Sequence, residues 1–305
     1  MSYVLAGLRV SSELEIPNLA SAPIHATRRP DVCIRRAAVQ RSLDAADPTA
    51  SLEWEYDGNE FLLNISNVAR FLITPDEIVV DEAPQSDPGD VSAYLLGTVF
   101  GVLCHRRGIT PLHACSIETA NGCVAFVGPS GAGKSTLASV LAARNHNVIA
   151  DDVCFLSVVE GGQIHCWPGV NRLRLWEDAM KSLGRDPETA EREFRGYNKY
   201  LVPLGSPKRP EVPRRLRAVY QLEPATEKEE QSAILRLSGS VAFEAVMQNI
   251  YRLNIAELMG LKPNLFKVGS TIANHVPIFQ FRRPMNYGAL SSAIDVLEDH
   301  LRQHG

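Results

Sequence analysis

Several things are scarce in this 305-residue chain, and each scarcity removes a class of protein. Its six cysteines (Cys33, Cys104, Cys115, Cys123, Cys154 and Cys166) contain no CxxC pair. Zinc-like ligand spacing is therefore missing, and the thiols read as reduced, partly buried groups of a cytoplasmic protein. The longest apolar stretch, Tyr94–Cys104, is 11 residues, well short of the ~20 that span a bilayer. Met1–Leu8 has neither the basic start nor the apolar run of a secretory leader. No membrane association is expected. A basic excess is absent too: the net charge is −4, which argues against a dedicated nucleic-acid binder. No repeat or low-complexity tract interrupts the chain.

What remains is an ordinary globular composition, 45% hydrophobic and 22% charged, enough for one large or two modest domains. Residues 1–88 read as a smaller β-rich domain, an antiparallel meander. Within it Ser51–Ile65 alternates around an Asp57-Gly58 type I′ signal, and a Pro75-Asp76 turn separates Arg70–Thr74 from Glu77–Val80. Pro84–Gly89 serves as linker. Residues 89–305 read as an α/β domain: an apolar helix over Val91–Arg106, then short apolar strands alternating with helices. Gly205–Arg217, with three prolines and five basic residues, reads as a loop. Its Lys208, Arg209, Arg214, Arg215 and Arg217 could cover a site. A strand is expected at Val276–Arg282 and a closing amphipathic helix at Tyr287–Gln303.

Chemistry concentrates in one segment. The apolar strand Cys123–Val127 runs directly into Gly128-Pro129-Ser130-Gly131-Ala132-Gly133-Lys134-Ser135-Thr136, a full G-x-x-x-x-G-K-[ST] match, and Leu137–Arg144 continues as helix. Glycines at these positions let successive backbone N–H groups turn inward as a nest for phosphates. The helix start adds favourable field, Lys134 reaches the β/γ-phosphates, and the Ser135 hydroxyl can take a Mg²⁺ position. The motif predicts ATP as cofactor without saying where the γ-phosphate goes.

Asn147–Ala150 then reads as a strand ending in Asp151-Asp152, the first aspartate only 17 residues after Lys134. A strand returning directly beside the loop's own strand would bring both carboxylates to the phosphates. One would serve Mg²⁺ and the other would accept a proton from an attacking hydroxyl. His113 opens the strand Leu112–Glu118, which hairpins through Ala120-Asn121-Gly122 toward the loop. Arg172 and Arg174, two apart on an expected strand, share a face and could clamp an anion. Trp54, Trp167 and Trp176 read as packing residues.

The segment His113–Asp152 resembles the catalytic domain of HPr kinase/phosphorylase: a histidine 15 residues before the first loop glycine, then GPSGAGKS, then IADD. Phosphoenolpyruvate carboxykinases share this core more distantly. The resemblance implies an HPr-kinase-like P-loop core. It also implies a cytoplasmic serine kinase of a protein or peptide, with Asp151 as base, Asp152 and Ser135 serving Mg²⁺, and His113 at the site. An active-site arginine matches best at Arg215. The family's LEIRGLG signature is absent, and Pro168–Trp176 stands in its place. The set PLHA, GPSGAGKSTLA, ADD, RLRLW and KY-x-V-P is similar to HPr-kinase-like proteins that phosphorylate lasso-peptide precursors. A homo-oligomer is the expected assembly. A regulatory ATP-binding module and a small-molecule, carboxykinase-like phosphotransferase are the alternatives.

Overall fold

A computed structural model describes residues 1–17, 19, 29–43, 53–170, 172–194, 198–204, 212–225 and 231–304. The chain has a mixed α/β fold. It opens with seven described strands in one sheet: β1 (Ser2–Leu5), β2 (Leu8–Ser12), β3 (Val32–Arg36), β4 (Trp54–Tyr56), β5 (Phe61–Ile65), β6 (Ala69–Ile73) and β7 (Glu77–Glu82). β4 to β7 form the expected antiparallel meander. However, β3 lies parallel to both β2 and β7, so the sheet is mixed. Strand patterns show which face is apolar but carry no signal for which partner is met after a long crossover.

Turn chemistry explains the hairpins. Ala6 and Gly7, between the paired Leu5 and Leu8, both have positive φ (53° and 78°), as a type I′ turn demands. The Asp57-Gly58 hairpin is instead a four-residue loop, since Tyr56 pairs with Phe61. Asp57 Oδ1 accepts from the N–H groups of Asn59 and Glu60, each at 2.7 Å. That side-chain bond replaces the tighter backbone turn. Ser51 of the expected hairpin lies outside the described residues.

The apolar helix comes as α1 (Pro88–Tyr94) and α2 (Phe100–Arg106), joined by a π-helical turn over Leu95–Val99. Its buried face joins Phe61, Phe71 and Ile78 of the first sheet in one hydrophobic cluster, which also takes in Leu112, Cys154 and Phe155. Apolar contact is thus continuous across position 88.

The second sheet holds β8 (Thr110–Leu112), β9 (Ala114–Thr119), β10 (Gly122–Val127), β11 (Val148–Ala150), β12 (Cys154–Val158), β13 (Ile164–Trp167), β17 (Arg214–Pro224), β18 (Ala233–Leu237) and β19 (Ile278–Arg283). Its centre is parallel: β10 runs beside β17, and β17 beside β19. α3 (Lys134–Ala143) and α8 (Leu290–His304) belong to the apolar cluster around Phe126, Tyr220 and Phe281. A small third sheet consists of β14 (Arg172–Trp176), β16 (Lys199–Pro203) and β15 (Glu191–Arg192), with α4 (Glu177–Ser182) between β14 and β15. α5 (Gly239–Met247), α6 (Leu253–Leu258) and α7 (Lys262–His275) complete the described helices. The helix expected over Val241–Leu258 is split, because Arg252 takes a left-handed conformation (φ 53°). All six cysteines are free, with Cys33 exposed and the others buried. No described helix is long and apolar enough to cross a membrane.

One expectation changes. Arg214–Arg217 belong to β17 rather than to a loop. Leu216 and Ala218 are buried while Arg215 points outward, a period-2 alternation that the neighbouring prolines disguise. Lys208 and Arg209 lie outside the described residues.

The first sheet meets the second where Trp167 covers Gly7. A Cβ there would lie 2.6 Å from the indole, which Ser157 holds through a 3.0 Å bond from Nε1. Gly7→Ala should therefore lower stability by roughly 3 kcal/mol, combining left-handed strain with overpacking. The midpoint of denaturant unfolding, followed by tryptophan fluorescence, measures it.

Candidate functional site

The candidate site lies at the carboxyl ends of the parallel strands, where open α/β sheets gather their loops. β10 is buried along its apolar run and delivers Gly128 to that edge. Gly128, Gly131 and Gly133 have positive φ (145°, 85° and 83°), and α3 begins at Lys134. Gly128 is also demanded by space, since a Cβ there would sit 2.9 Å from the Leu222 carbonyl oxygen, whereas one on Gly133 would meet the end of the Arg283 side chain. A loop of this shape ending in a helix start is an anion-binding arrangement.

Strand register brings the other groups to the same edge. Ala114 pairs with Val127, so His113 lies level with the start of the loop. Ala150 pairs with Ser116 on β9, which places Asp151 and Asp152 at that end as well. The returning strand β11 is not directly beside β10, since β9 lies between them. The carboxylates still reach the loop: Ser135 Oγ donates to Asp151 Oδ1 at 2.9 Å. A cavity of about 390 Å³ is lined by the loop, His113, Lys134, Ser135 and Asp152, together with Arg174, Lys199 and Arg283.

The two aspartates differ sharply. Asp151 is buried, with Oδ1 on Ser135 and Oδ2 accepting from the Arg174 backbone N–H at 2.7 Å. Burial and then the neighbouring Asp152 push its carboxyl above the usual range. Asp152 faces the cavity from a left-handed backbone (φ 71°), which costs an aspartate roughly 1–2 kcal/mol. Burial pushes its carboxyl up too. Arg174, His113, Lys199 and Lys134 outweigh that and hold it below the ordinary value.

Arg174 organises these charges. Its guanidinium pairs with Asp152 and with Glu193, and Glu193 also meets Lys199 Nζ at 3.6 Å. Arg172 on the same strand is buried, and burial pushes its guanidinium down to about 10. Lys134 is buried, its Nζ donating to the carbonyls of Gly128 (2.7 Å) and Pro129 (3.2 Å). Burial lowers the pKa of both Lys134 and Lys199.

His113 Nδ1 lies 3.0 Å from the Asp152 carbonyl oxygen. A carbonyl can only accept, so Nδ1 carries the proton and Nε2 is the acceptor nitrogen. The ring also lies near Tyr251, with centroids 6.1 Å apart.

Three positioning groups escaped the sequence reading. Asn249 Oδ1 accepts from Gly128 N–H at 2.9 Å, while its backbone carbonyl accepts from His113 N–H at 2.7 Å. One residue thereby holds the loop and the histidine together. Arg283 Nη2 donates to Ala132 O at 3.1 Å. Glu193 is 2% exposed and carries two cations. The strand signal at Val276–Arg282 led to Arg283, but nothing local marked it as facing the loop.

Arg215 is not brought to this site. It pairs with His165, and the next residue, Leu216, pairs with Cys123 at the start of β10. That is the far end of the strand, with Cys123 roughly 13 Å from Val127 at 3.3 Å per residue. Arg214 beside it pairs with Glu118 at 2.6 Å. The arginines at the cavity are Arg174 and Arg283. Trp176, expected to be a packing residue, is instead 43% exposed on the cavity wall.

Burial lowers the His113 pKa, whereas the Asp152 carboxylate raises it. In the unfolded chain the imidazole takes its proton near pH 6.5, and in the fold only lower. His113 therefore costs stability as the pH falls below about 6.5. A ¹H–¹⁵N NMR titration should place its midpoint below 6.5, and Asp152→Asn should move it lower still.

No protein-family profile matches this chain, and no curated protein matches it. Among solved structures, the HPr(Ser) kinase/phosphatase from Coxiella burnetii is similar over 64% of this chain and 99% of its own length, at 14% identity and a TM-score of 0.32. The likeness between the two is a distant one in fold alone.

Proposed function

We propose that the chain binds ATP with Mg²⁺ and transfers the γ-phosphoryl group to a serine hydroxyl of a protein or peptide. The observation that carries this reading is the 2.9 Å bond between Ser135, first hydroxyl of the helix that the glycine loop opens, and the Asp151 carboxylate. It joins a phosphate-type nest to a carboxylate pair, of which Asp152 lines the same cavity as the loop. An HPr-kinase-like P-loop core is the architecture that would explain the pairing.

The residues fit a Mg²⁺–nucleotide. Mg²⁺ takes hard oxygens, typically one or two carboxylates with phosphates and water. Ser135 Oγ and Asp151 Oδ1 supply two such atoms side by side. Bound there, the ion would neutralise charge on the phosphates. Lys134 would exchange its two loop carbonyls for phosphate oxygens, and Arg174 and Lys199 add positive charge on the cavity wall. The nest and these cations would stabilise charge that spreads over the transferred group.

The family resemblance gave the base role to Asp151 and the metal role to Asp152. The geometry supports the reverse division, because Asp151 is committed to Ser135 and Arg174 N–H, whereas Asp152 lines the cavity. In this reading an Asp152 carboxylate oxygen accepts the serine proton. The serine oxygen bonds to the γ-phosphorus, the bond to the β,γ-bridging oxygen breaks, and ADP leaves. Arg174 keeps Asp152 ionised, and His113 Nδ1 holds its backbone carbonyl.

Incubation with labelled ATP, Mg²⁺ and serine-containing peptides should label a peptide serine. Labelling of a metabolite instead would sink the peptide-kinase reading. Asp152→Asn should lower turnover about 10²–10⁴-fold with ATP affinity nearly unchanged. Asp151→Asn should instead raise the Mg²⁺ concentration needed for half-maximal rate. Were the two outcomes exchanged, the roles of the aspartates would be exchanged as well.

A further inference from the structure

Part of the cavity wall is apolar and is not used by the reading above. There the connector between β19 and α8 passes the glycine loop, and three large side chains on the cavity wall stay exposed: Trp176 (43%), Met285 (48%) and Tyr287 (43%). Exposed apolar groups scattered singly need no explanation, but several lining one cavity do.

The connector is tied down on both sides of Met285. Arg283 Nη2 donates to Ala132 O in the loop at 3.1 Å. Asn286 Oδ1 accepts from Ala289 N–H at 2.8 Å, closing the turn that leads into α8. Tyr287 Oη donates across the cavity mouth to Asp178 Oδ2 on α4 at 3.2 Å, linking the two walls. Lys199 Nζ lies 5.7 Å from the Trp176 ring centre. Met285 and Tyr287 are thus held at defined positions and still expose apolar surface into a polar cavity.

Resting on the ATP reading, we infer that Met285 and Tyr287 form a platform for the purine base of the bound nucleotide. The lining groups divide by chemistry: His113, Asp152 and Arg174 would serve phosphoryl transfer, the glycine loop would hold the phosphates, and the Arg283-anchored connector lies beside that loop. An aromatic face and a thioether are the surfaces on which a base stacks. A phosphate-only ligand would have no use for them.

Binding measured by calorimetry with two probes, Mg-ATP and Mg-tripolyphosphate, separates base from phosphates. Tyr287→Ala should raise the Kd for ATP about tenfold and leave that for tripolyphosphate within about twofold. Tyr287→Phe keeps the ring and should retain most of the ATP affinity. If Tyr287→Ala weakens both probes alike, the residue supports the loop rather than a base, and the inference falls. It falls equally if neither probe is affected while ATP binds. If the unsubstituted chain binds neither probe, the phosphate-loop reading fails first and takes the platform with it.

Discussion

Two carboxylates buried side by side would repel each other and forfeit hydration, at a cost of several kcal/mol per ion. The architecture around Asp151 and Asp152 offsets that cost chiefly through one residue. Arg174 gives its backbone N–H to Asp151, and its guanidinium to Asp152 and Glu193. Because β14 supplies both the N–H and the side chain, the third sheet has to dock against the second in one register. Arg172, buried on the same strand, adds positive charge behind the pair. The aspartates leave this arrangement with different protonation tendencies, Asp151 pushed up and Asp152 held down. Opposite displacement of neighbouring titratable groups is how a site separates roles among identical side chains.

The same edge of the sheet collects the remaining groups because of strand direction. β10, β17 and β19 run parallel, so their carboxyl ends coincide, and the antiparallel β9 returns His113 to that end. Asn249, reaching from the end of α5, stitches the loop to His113. A parallel sheet thus concentrates positive-φ glycines, a helix start and long polar side chains at one edge, while its interior stays apolar.

Much of the site was legible in the sequence, for a local reason. Each requirement of the Gly128–Thr136 loop is met by neighbouring residues: an apolar strand before it, glycines where φ is positive, a helix after it. The nearby Asp151-Asp152 and His113 were legible because one helix and one hairpin bring them back. Arg283 meets Ala132 across 151 residues, and Asn249 meets Gly128 across 121. No window of sequence contains such a pairing. Arg214, Arg215 and Arg217 read as loop because arginines beside a proline-rich stretch resemble a mobile basic segment, whereas alternation with Leu216 and Ala218 puts them on a strand. Likewise the order of β2, β3 and β7 depends on which edges meet, which apolar alternation does not encode.

By itself the sequence determined the β-rich opening, the glycine loop between strand and helix, and the presence of two adjacent carboxylates downstream. All of these follow from short-range steric and periodic demands. Only the tertiary structure decided that β9 separates β11 from β10, that Arg174 rather than Arg215 stands at the cavity, and that Asp151 turns to Ser135 while Asp152 faces the cavity. Those outcomes turn on how buried charges find partners across long stretches of chain. That balance of desolvation against ion pairing exists only once the sheets have packed.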